Sequence, residues 1–273
     1  MSPSEQEKMK RFYDAVGERY PEEEEVYRTL RGQLRCNFVR QWLENCSGSL
    51  LEIGTNRAMY LNMYNGGTRY GVDLSLPALK QAHREKPVFL AVADAERLQC
   101  LQPNSMQNVL CSEVIEHCLN PQRVFDSIAH VLAPNGRALL TTPNYKKKRP
   151  TWMNLGVMQE YGVESEWDTG YFHTAFRPDE LEEMARNAGL DVVDAGTLEK
   201  EIKYVAKIPA LILLTGRFFN KFFRSQKFAR GNDHFFNSSQ IFIYRLLSIF
   251  GLHRILRTFV NQGVRSFIKL TKI

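Results

Sequence analysis

The sequence has no C-x-x-C pair, and none of its cysteine spacings suits zinc. Its five cysteines, Cys36, Cys46, Cys100, Cys111 and Cys118, are odd in number. With no N-terminal signal peptide, they read as reduced thiols in a cytoplasmic protein. No apolar run approaches the ~20 residues that a bilayer-spanning helix needs. There is no internal repeat, collagen pattern or low-complexity tract. The dinucleotide fingerprint G-x-G-x-x-G is missing, which weighs against nicotinamide or flavin chemistry. The phosphate loop G-x-x-x-x-G-K-[ST] is missing too, which weighs against nucleoside triphosphate hydrolysis. Acids are scarce at the C-terminal end. Residues 207–273 carry Asp233 alone against 12 basic side chains.

What is present reads as globular. At 273 residues and 44% hydrophobic composition, the chain can bury one large core, with or without an elaboration. The net charge of +6 hides an asymmetry. Residues 1–206 carry 24 basic and 29 acidic side chains, so a mildly acidic body precedes a strongly basic tail. Such a tail calls for an anionic partner: a membrane surface, a nucleic acid or another polyanion.

Hydrophobic periodicity predicts helices over 5–20 and 22–45, the second on Val26, Leu30, Leu34, Phe38 and Trp42. Short apolar runs predict strands at 49–55, 68–75, 87–95, 107–112 and 135–144. Helices are expected at 76–86, 121–132 and 177–190, the last stopped by Gly189. Residues 191–199 and 265–273 read as a sixth and a seventh strand. Strand alternating with helix predicts an α/β fold: a doubly wound, seven-stranded, mostly parallel, Rossmann-like sheet. The expected organisation is an N-terminal helical lid over 1–45, a core over 46–200, a helical insertion over 201–264 and a final strand over 265–273.

In such a sheet, ligands bind at the carboxyl ends of the strands. Gly54, just after the first strand, allows a tight turn and a close backbone approach. Asp73 at the tip of the second strand can accept hydrogen bonds from both ribose hydroxyls of a nucleoside. Asp94 and Ala95 follow the third strand, where an adenine amino group would lie. A nucleoside site without a phosphate cradle suits S-adenosylmethionine (SAM). The segments LLEIGT, YGVDLS, ADAERL, NVLCSEVIEHCLNP and GRALLTTPN, in this order, resemble those of the class I SAM-dependent methyltransferases. The resemblance covers roughly 35–195 and is strongest to the ubiquinone-biosynthesis O-methyltransferase branch. It implies that Glu52 and Gly54 border the methionine part of SAM. It further implies that Asp73, with Leu74, holds the ribose, Asp94 and Ala95 the adenine, and that Ser112 and Glu113 line the pocket near the sulfonium. The family's first loop has three glycines, whereas this chain has Gly54, Asn56 and Ala58. Asn tolerates positive φ, and Ala is the next smallest side chain.

The stretch CSEVIEHCLN, 111–120, puts Glu113, Glu116 and His117 directly after a buried strand. On a helical turn, positions i, i+3 and i+4 share one face. Two carboxylates and an imidazole on that face would suit Mg²⁺ or another divalent metal. His173, in GYFHTAFRPDEL, is available as a fourth ligand. The pattern resembles the metal site of the plant small-RNA 2′-O-methyltransferases, which implies one ion held by Glu113, Glu116, His117 and His173. Without metal, His117 is a candidate general base, and Glu116 and His173 its catalytic neighbours. In many chains, the same residues only brace a loop.

Residues 207–262 interleave Phe218, Phe219, Phe222, Phe223 and Phe228 with Arg217, Lys221, Arg224 and Lys227. Such an amphipathic, basic segment suits a membrane interface and a lipid-linked acceptor. A lid, a dimer contact or stacking on RNA would use the same residue types. The run NYKKKRP, 144–150, is a solvated loop or an anion contact. The expectation is SAM-dependent O-methylation of a hydroxyl on a small hydrophobic or lipid-linked acceptor, in a cytoplasmic protein peripheral to the membrane. An RNA 2′-O-methyltransferase and a non-catalytic SAM-fold protein are the alternatives.

Overall fold

A computed structural model of the chain describes residues 4–82, 87–167, 170–223 and 225–273. The chain begins with α1 (Glu5–Arg19), α2 (Glu22–Tyr27) and α3 (Leu30–Leu43). It continues through β1 (Leu50–Ile53), α4 (Met59–Met63), β2 (Arg69–Asp73), α5 (Leu76–Lys80), β3 (Phe89–Val92) and β4 (Met106–Ser112). Then come α6 (Pro121–Val131), β5 (Leu132–Pro143), β6 (Trp152–Met153), β7 (Tyr171–Phe172), α7 (Pro178–Asn187) and β8 (Asp191–Leu198). The chain closes with α8 (Ile202–Val205), α9 (Lys207–Phe223), α10 (Gln226–Ile249), α11 (Leu252–Thr258) and β9 (Arg265–Thr271).

The seven-stranded sheet has the order β3-β2-β1-β4-β5-β9-β8. β1 pairs in parallel with β2 and β4, β2 with β3 and β4 with β5, while β9 runs antiparallel to β5. The order reverses between β1 and β4, so the ligand crevice of a doubly wound sheet falls there. Register places Ile53 beside Cys111, which brings the loops after β1 and β4 side by side. All four residues of β1 are buried, including Glu52. A parallel strand covered on both faces reads as a continuous apolar run, and Glu52 is its exception.

By its contacts, the chain forms two compact units. One comprises residues up to Glu23, Phe38–Gly196 and Arg265–Ile273; the other comprises Glu24–Asn37 and Thr197–Val264. In the first, Phe125, Ile128 and Val131 of α6 and Leu181 and Ala185 of α7 pack with strand residues such as Val109 and Leu140. A capping box between Ser4 and Glu7 starts α1, which buries Met9, Phe12 and Val16. In the second unit, Leu30, Ile202 and Val205 form a core against Ile241, Tyr244 and Leu247.

The doubly wound sheet agrees with the sequence expectation, and helices fill the segment before the last strand. Three expectations are corrected. The helix over 22–45 is two helices, because Thr29 interrupts it: its hydroxyl accepts from Gly32 N at 3.1 Å and caps α3. The helix over 76–86 ends at Lys80, and 83–86 lie outside the described residues. The two-stranded ribbon of β6 and β7 was not expected.

Candidate active site at the switch point

The loop after β1 turns through positive φ at Gly54, Asn56 and Ala58, at 70°, 46° and 67°. Asn and Ala thus adopt the left-handed conformation that glycine adopts most easily. At Gly54 itself a side chain is excluded: a Cβ there would come within 2.3 Å of Val114 Cγ2, on the turn after β4. Asp73, at the end of β2, clamps this loop. Its Oδ2 accepts from Asn56 N and its Oδ1 from Ser75 N, each at 2.8 Å. Glu52 Oε2 accepts from Thr55 Oγ1 at 2.9 Å. Asp94 Oδ1 accepts from Glu96 N at 2.9 Å, and Ala95 packs against the core. Leu74 is half-buried directly after Asp73.

Around the loop gathers a ring of acids, of which Glu52 and Asp73 were legible in the sequence and Asp14, Glu22 and Glu23 were not. Glu22 Oε2 accepts from Asn56 Nδ2 at 3.0 Å. Burial raises the carboxyl pKa of Glu52 well above its ordinary value, with Glu23 and Asp73 adding to the rise. Burial raises that of Asp73 too, against its backbone hydrogen bonds, and Asp14 adds to the rise. Asp14 Oδ1 is buried and has no hydrogen-bond partner among the described residues. Its Oδ2 pairs with Lys10 Nζ at 2.7 Å, and the charge of Arg57 opposes the burial that raises the Glu23 pKa. The amphipathic pattern of α1 puts Phe12 and Val16 inward, and helical spacing sets Asp14 off that face, so the sequence carries no signal for it.

The second cluster follows β4. Glu113 takes φ 62°, and Ile115–His117 form a single 3-10 turn. Adjacent threonines at the end of β5 hold the two carboxylates separately. Thr142 Oγ1 donates to Glu116 Oε2 at 3.1 Å, and Thr141 Oγ1 donates to Glu113 Oε1 at 2.9 Å. Thr141 also meets Ser112 Oγ at 2.9 Å, and Arg265 of β9 forms an ion pair with Glu113. His173 lies just after β7, tied to this turn because the next residue, Thr174, donates its N–H to Glu116 O at 2.9 Å. Glu116, His117 and His173 each bring one ligand atom within 4.8 Å of the others.

The histidine rings lie 4.9 Å apart, nearly perpendicular. Both Nδ1 atoms are buried without a hydrogen-bond partner among the described residues. Burial, helped by His173, pushes the His117 pKa down to about 3, while a hydrogen bond to the Phe172 backbone opposes the shift. His117 is therefore neutral near pH 7, with its Nδ1 free to act as a base or a ligand. Burial lowers the His173 pKa as well. Tyr13 stands edge-on over His117 at 5.3 Å between ring centroids, and its hydroxyl too is buried and unpartnered. Phe12 stacks on Tyr171 at 5.1 Å, and with Trp167 these rings wall the cluster in apolar surface.

A family model described as a methyltransferase domain matches residues 9–195. The chain belongs to that family. In sequence it is similar to the ubiquinone biosynthesis O-methyltransferase of Cupriavidus pinatubonensis, at 29% identity over 155 residues. That match covers 55% of this chain and 59% of the relative, so it spans less than two thirds of the Cupriavidus enzyme. The enzyme of the same description from Neisseria meningitidis serogroup A is 25% identical over 196 residues, covering 67% of this chain and 81% of its own. In fold, the chain is similar to a SAM-dependent methyltransferase from Mesorhizobium loti, with a TM-score of 0.53, 14% identity and coverage of 89% and 100%.

Family membership places the chain among the SAM-dependent methyltransferases. Its geometry sorts the residues singled out from sequence. Glu52, Gly54, Asn56, Ala58 and Asp73 form one connected loop system. Ser112 and Glu113 end β4 beside it, and Asp94 and Ala95 follow the edge strand β3. Of the four proposed ligands, Glu116, His117 and His173 converge. Glu113 does not, because a positive φ takes it off the helical turn and its carboxylate faces Arg265 and Thr141. Glu22 links the clusters: it binds Asn56, and its charge adds to the rise that burial causes in the pKa of Tyr13 and Tyr171. Tyr13 falls in the helix expected as an N-terminal lid, but its buried hydroxyl was not legible.

Proposed function

We propose that this methyltransferase transfers the SAM methyl group to a hydroxyl oxygen on a small hydrophobic or lipid-linked acceptor at a membrane surface. The observation that carries the reading is the pair of buried, unpartnered Nδ1 atoms of His117 and His173 beside the Glu116 carboxylate, inside an apolar aromatic shell. The donor set of the first loop fits SAM. A cluster of carboxylates around a left-handed loop suits a ligand carrying a sulfonium, an ammonium and a ribose diol, and no phosphate.

When bound, SAM supplies a methyl group that leaves its sulfur without the bonding electron pair. Asp73 would accept from the ribose hydroxyls with the lone pairs left after Asn56 N and Ser75 N. Glu52 and Asp14 would balance the positive charge, and Asp94 and Ala95 would border the adenine. Ser112 would line the pocket, with its hydroxyl fixed by Thr141. His117 Nδ1 would take the acceptor's hydroxyl proton as the oxygen–carbon bond forms. Phe12, Tyr171 and Trp167 exclude water from that step. Three ligand atoms within 4.8 Å also support a divalent ion on Glu116, His117 and His173. Such an ion would lower the pKa of the acceptor hydroxyl.

A label-partition experiment tests the reading. Protein is incubated with methyl-labelled SAM and a whole-cell extract, with and without chelator, and the products are separated. Label in the organic phase is expected, and its loss with chelator would assign the ion. Label in RNA would replace the acceptor with an RNA 2′-hydroxyl. Saturable SAM binding would exclude the non-catalytic alternative. His117→Ala should lower turnover by about a hundredfold to ten-thousandfold, the usual contribution of a positioned base, while SAM affinity stays nearly unchanged. A collapse of SAM binding in that variant would contradict the assigned role.

A further inference from the structure

Among the described residues, no helix is long and apolar enough to cross a membrane. Yet α9 turns an apolar stripe outward. Ile208, Leu211, Ile212, Phe218, Phe219 and Phe222 follow helical spacing, and each is 44–71% exposed. In α10, Phe228, Phe235, Phe242 and Ile249 recur every seventh residue, and all four are exposed. Leu252 and Ile255 of α11, with Phe259 directly after it, are exposed as well. Isolated exposed apolar residues need no explanation, but runs on three consecutive helices mark an interaction surface. The stripes of α9 and α10 meet: Ile212, Phe228 and Phe235 line one groove of about 670 Å³, with Lys227 also in its lining.

Charge selects the occupant. Lys207, Lys221, Lys227, Arg245 and Arg254 are all exposed, while Arg257, also exposed, pairs with Glu201 at 3.9 Å. Between 207 and 262 the one acidic residue is Asp233, and it is already paired with Arg217 at 3.0 Å. Aromatic and aliphatic side chains that alternate with cations, on helices too short or too polar to insert, are the chemistry of an interfacial helix. An aqueous protein partner with an apolar groove would satisfy the stripes and leave the cations without purpose. A polyanion would satisfy the cations and leave the aliphatic residues in water.

We propose that α9–α11 dock on the surface of an anionic phospholipid bilayer. The exposed stripes enter the headgroup boundary, the α9–α10 groove seats an acyl or prenyl chain, and the cations meet lipid phosphates. This deepens the lipid-linked reading of the acceptor, and it is tested without any methyl transfer, so that either can fail alone.

The experiment is vesicle flotation with the full chain, comparing neutral phosphatidylcholine vesicles with vesicles containing phosphatidylglycerol. The protein should float with the anionic vesicles, and a substantial part should remain bound in high salt, because apolar insertion is not screened. Phe218→Ser with Phe222→Ser should weaken binding at least about tenfold, the scale set by two lost large apolar contacts, without loss of SAM binding. Lys221→Glu with Lys227→Glu should abolish the preference for anionic vesicles. These positions are exposed, so folding should survive in both variants, and circular dichroism checks that it does. Failure of the folded protein to float would overturn the proposal. So would binding wholly reversed by salt, tighter binding to single-stranded RNA than to vesicles, or self-association that the Phe variants abolish while flotation is absent.

Discussion

Tyr13 holds a hydroxyl that is buried, unpartnered among the described residues and edge-on to His117. Burial, together with the charges of Glu116 and Glu22, raises its pKa well above the ordinary value, so it is a neutral donor in search of an acceptor. An unsatisfied buried hydroxyl costs about 1–3 kcal/mol. The acceptor's oxygen would supply the missing partner. Tyr13→Phe should therefore raise the thermal midpoint of the free protein while lowering turnover, with SAM affinity unmoved. A variant that gains stability and keeps full turnover would make Tyr13 packing and nothing more. The residue scale also shows what a sequence can reveal. The types and order of Glu52, Gly54, Asp73 and Asp94 point to the loop system. The left-handed backbone at Asn56 and Ala58 shows only through the glycines that the resembling family has there, because Asn and Ala themselves usually occur at negative φ.

Each element at the switch point depends on a long-range partner. Glu113 leaves β4 with φ 62° and is held by Thr141 on β5 and Arg265 on β9. The Arg265 and Glu113 side chains are 11% and 16% exposed, so this pair is mostly withdrawn from water. Removing one partner from a buried pair costs about 3–5 kcal/mol, because the other charge is stranded. Arg265→Met should therefore lower the urea midpoint at unchanged slope, and the unfolding free energy derived from it should fall by an amount in that range. Adding Glu113→Gln should recover much of the loss. If the single variant were as stable as the parent, Glu113 would have to find its partner elsewhere. Such dependence explains which elements were legible. Apolar runs punctuated by Gly, Pro and Asp expose β1, β2, β4 and β5. The break at Thr29 rests on one hydroxyl cap inside an otherwise continuous periodic pattern. The two-residue strands β6 and β7 exist because the rings of Phe12, Trp152 and Trp167 pack around them, and no local pattern encodes that. The convergence of His173 on His117 follows from the same ribbon.

Across the whole molecule, the buried carboxyls make stability depend on pH in a direction that SAM should reverse. Glu199 is raised from 4.5 to about 7 by burial. A raised carboxyl contributes stability that is fully present below 4.5 and is lost as pH rises through about 7. Glu52 and Asp73 are raised by the same cause, so they act with the same sign. His117, lowered from 6.5 to about 3, acts oppositely: stability is lost as pH falls below 6.5, on the acid side of the working range. The free protein should therefore lose stability as pH rises from 6.5 through about 7, where His117 no longer opposes the carboxyls. A cationic ligand beside Glu52 and Asp73 favours their ionised forms, so its binding releases protons and its affinity rises with pH. Saturating SAM stabilises by about 2.7 kcal/mol at a hundredfold excess over Kd, and this increment should grow as pH rises through the raised pKa values. Glu199 lies in the other compact unit and slopes both curves alike, so Glu199→Gln should flatten each without changing the gap between them. Thermal midpoints with and without SAM across that range, and calorimetry in two buffers of different ionisation enthalpy, measure the gap and the protons directly. A gap independent of pH, with no proton released, would mean that the acids around Gly54–Ala58 do not face the charge of SAM.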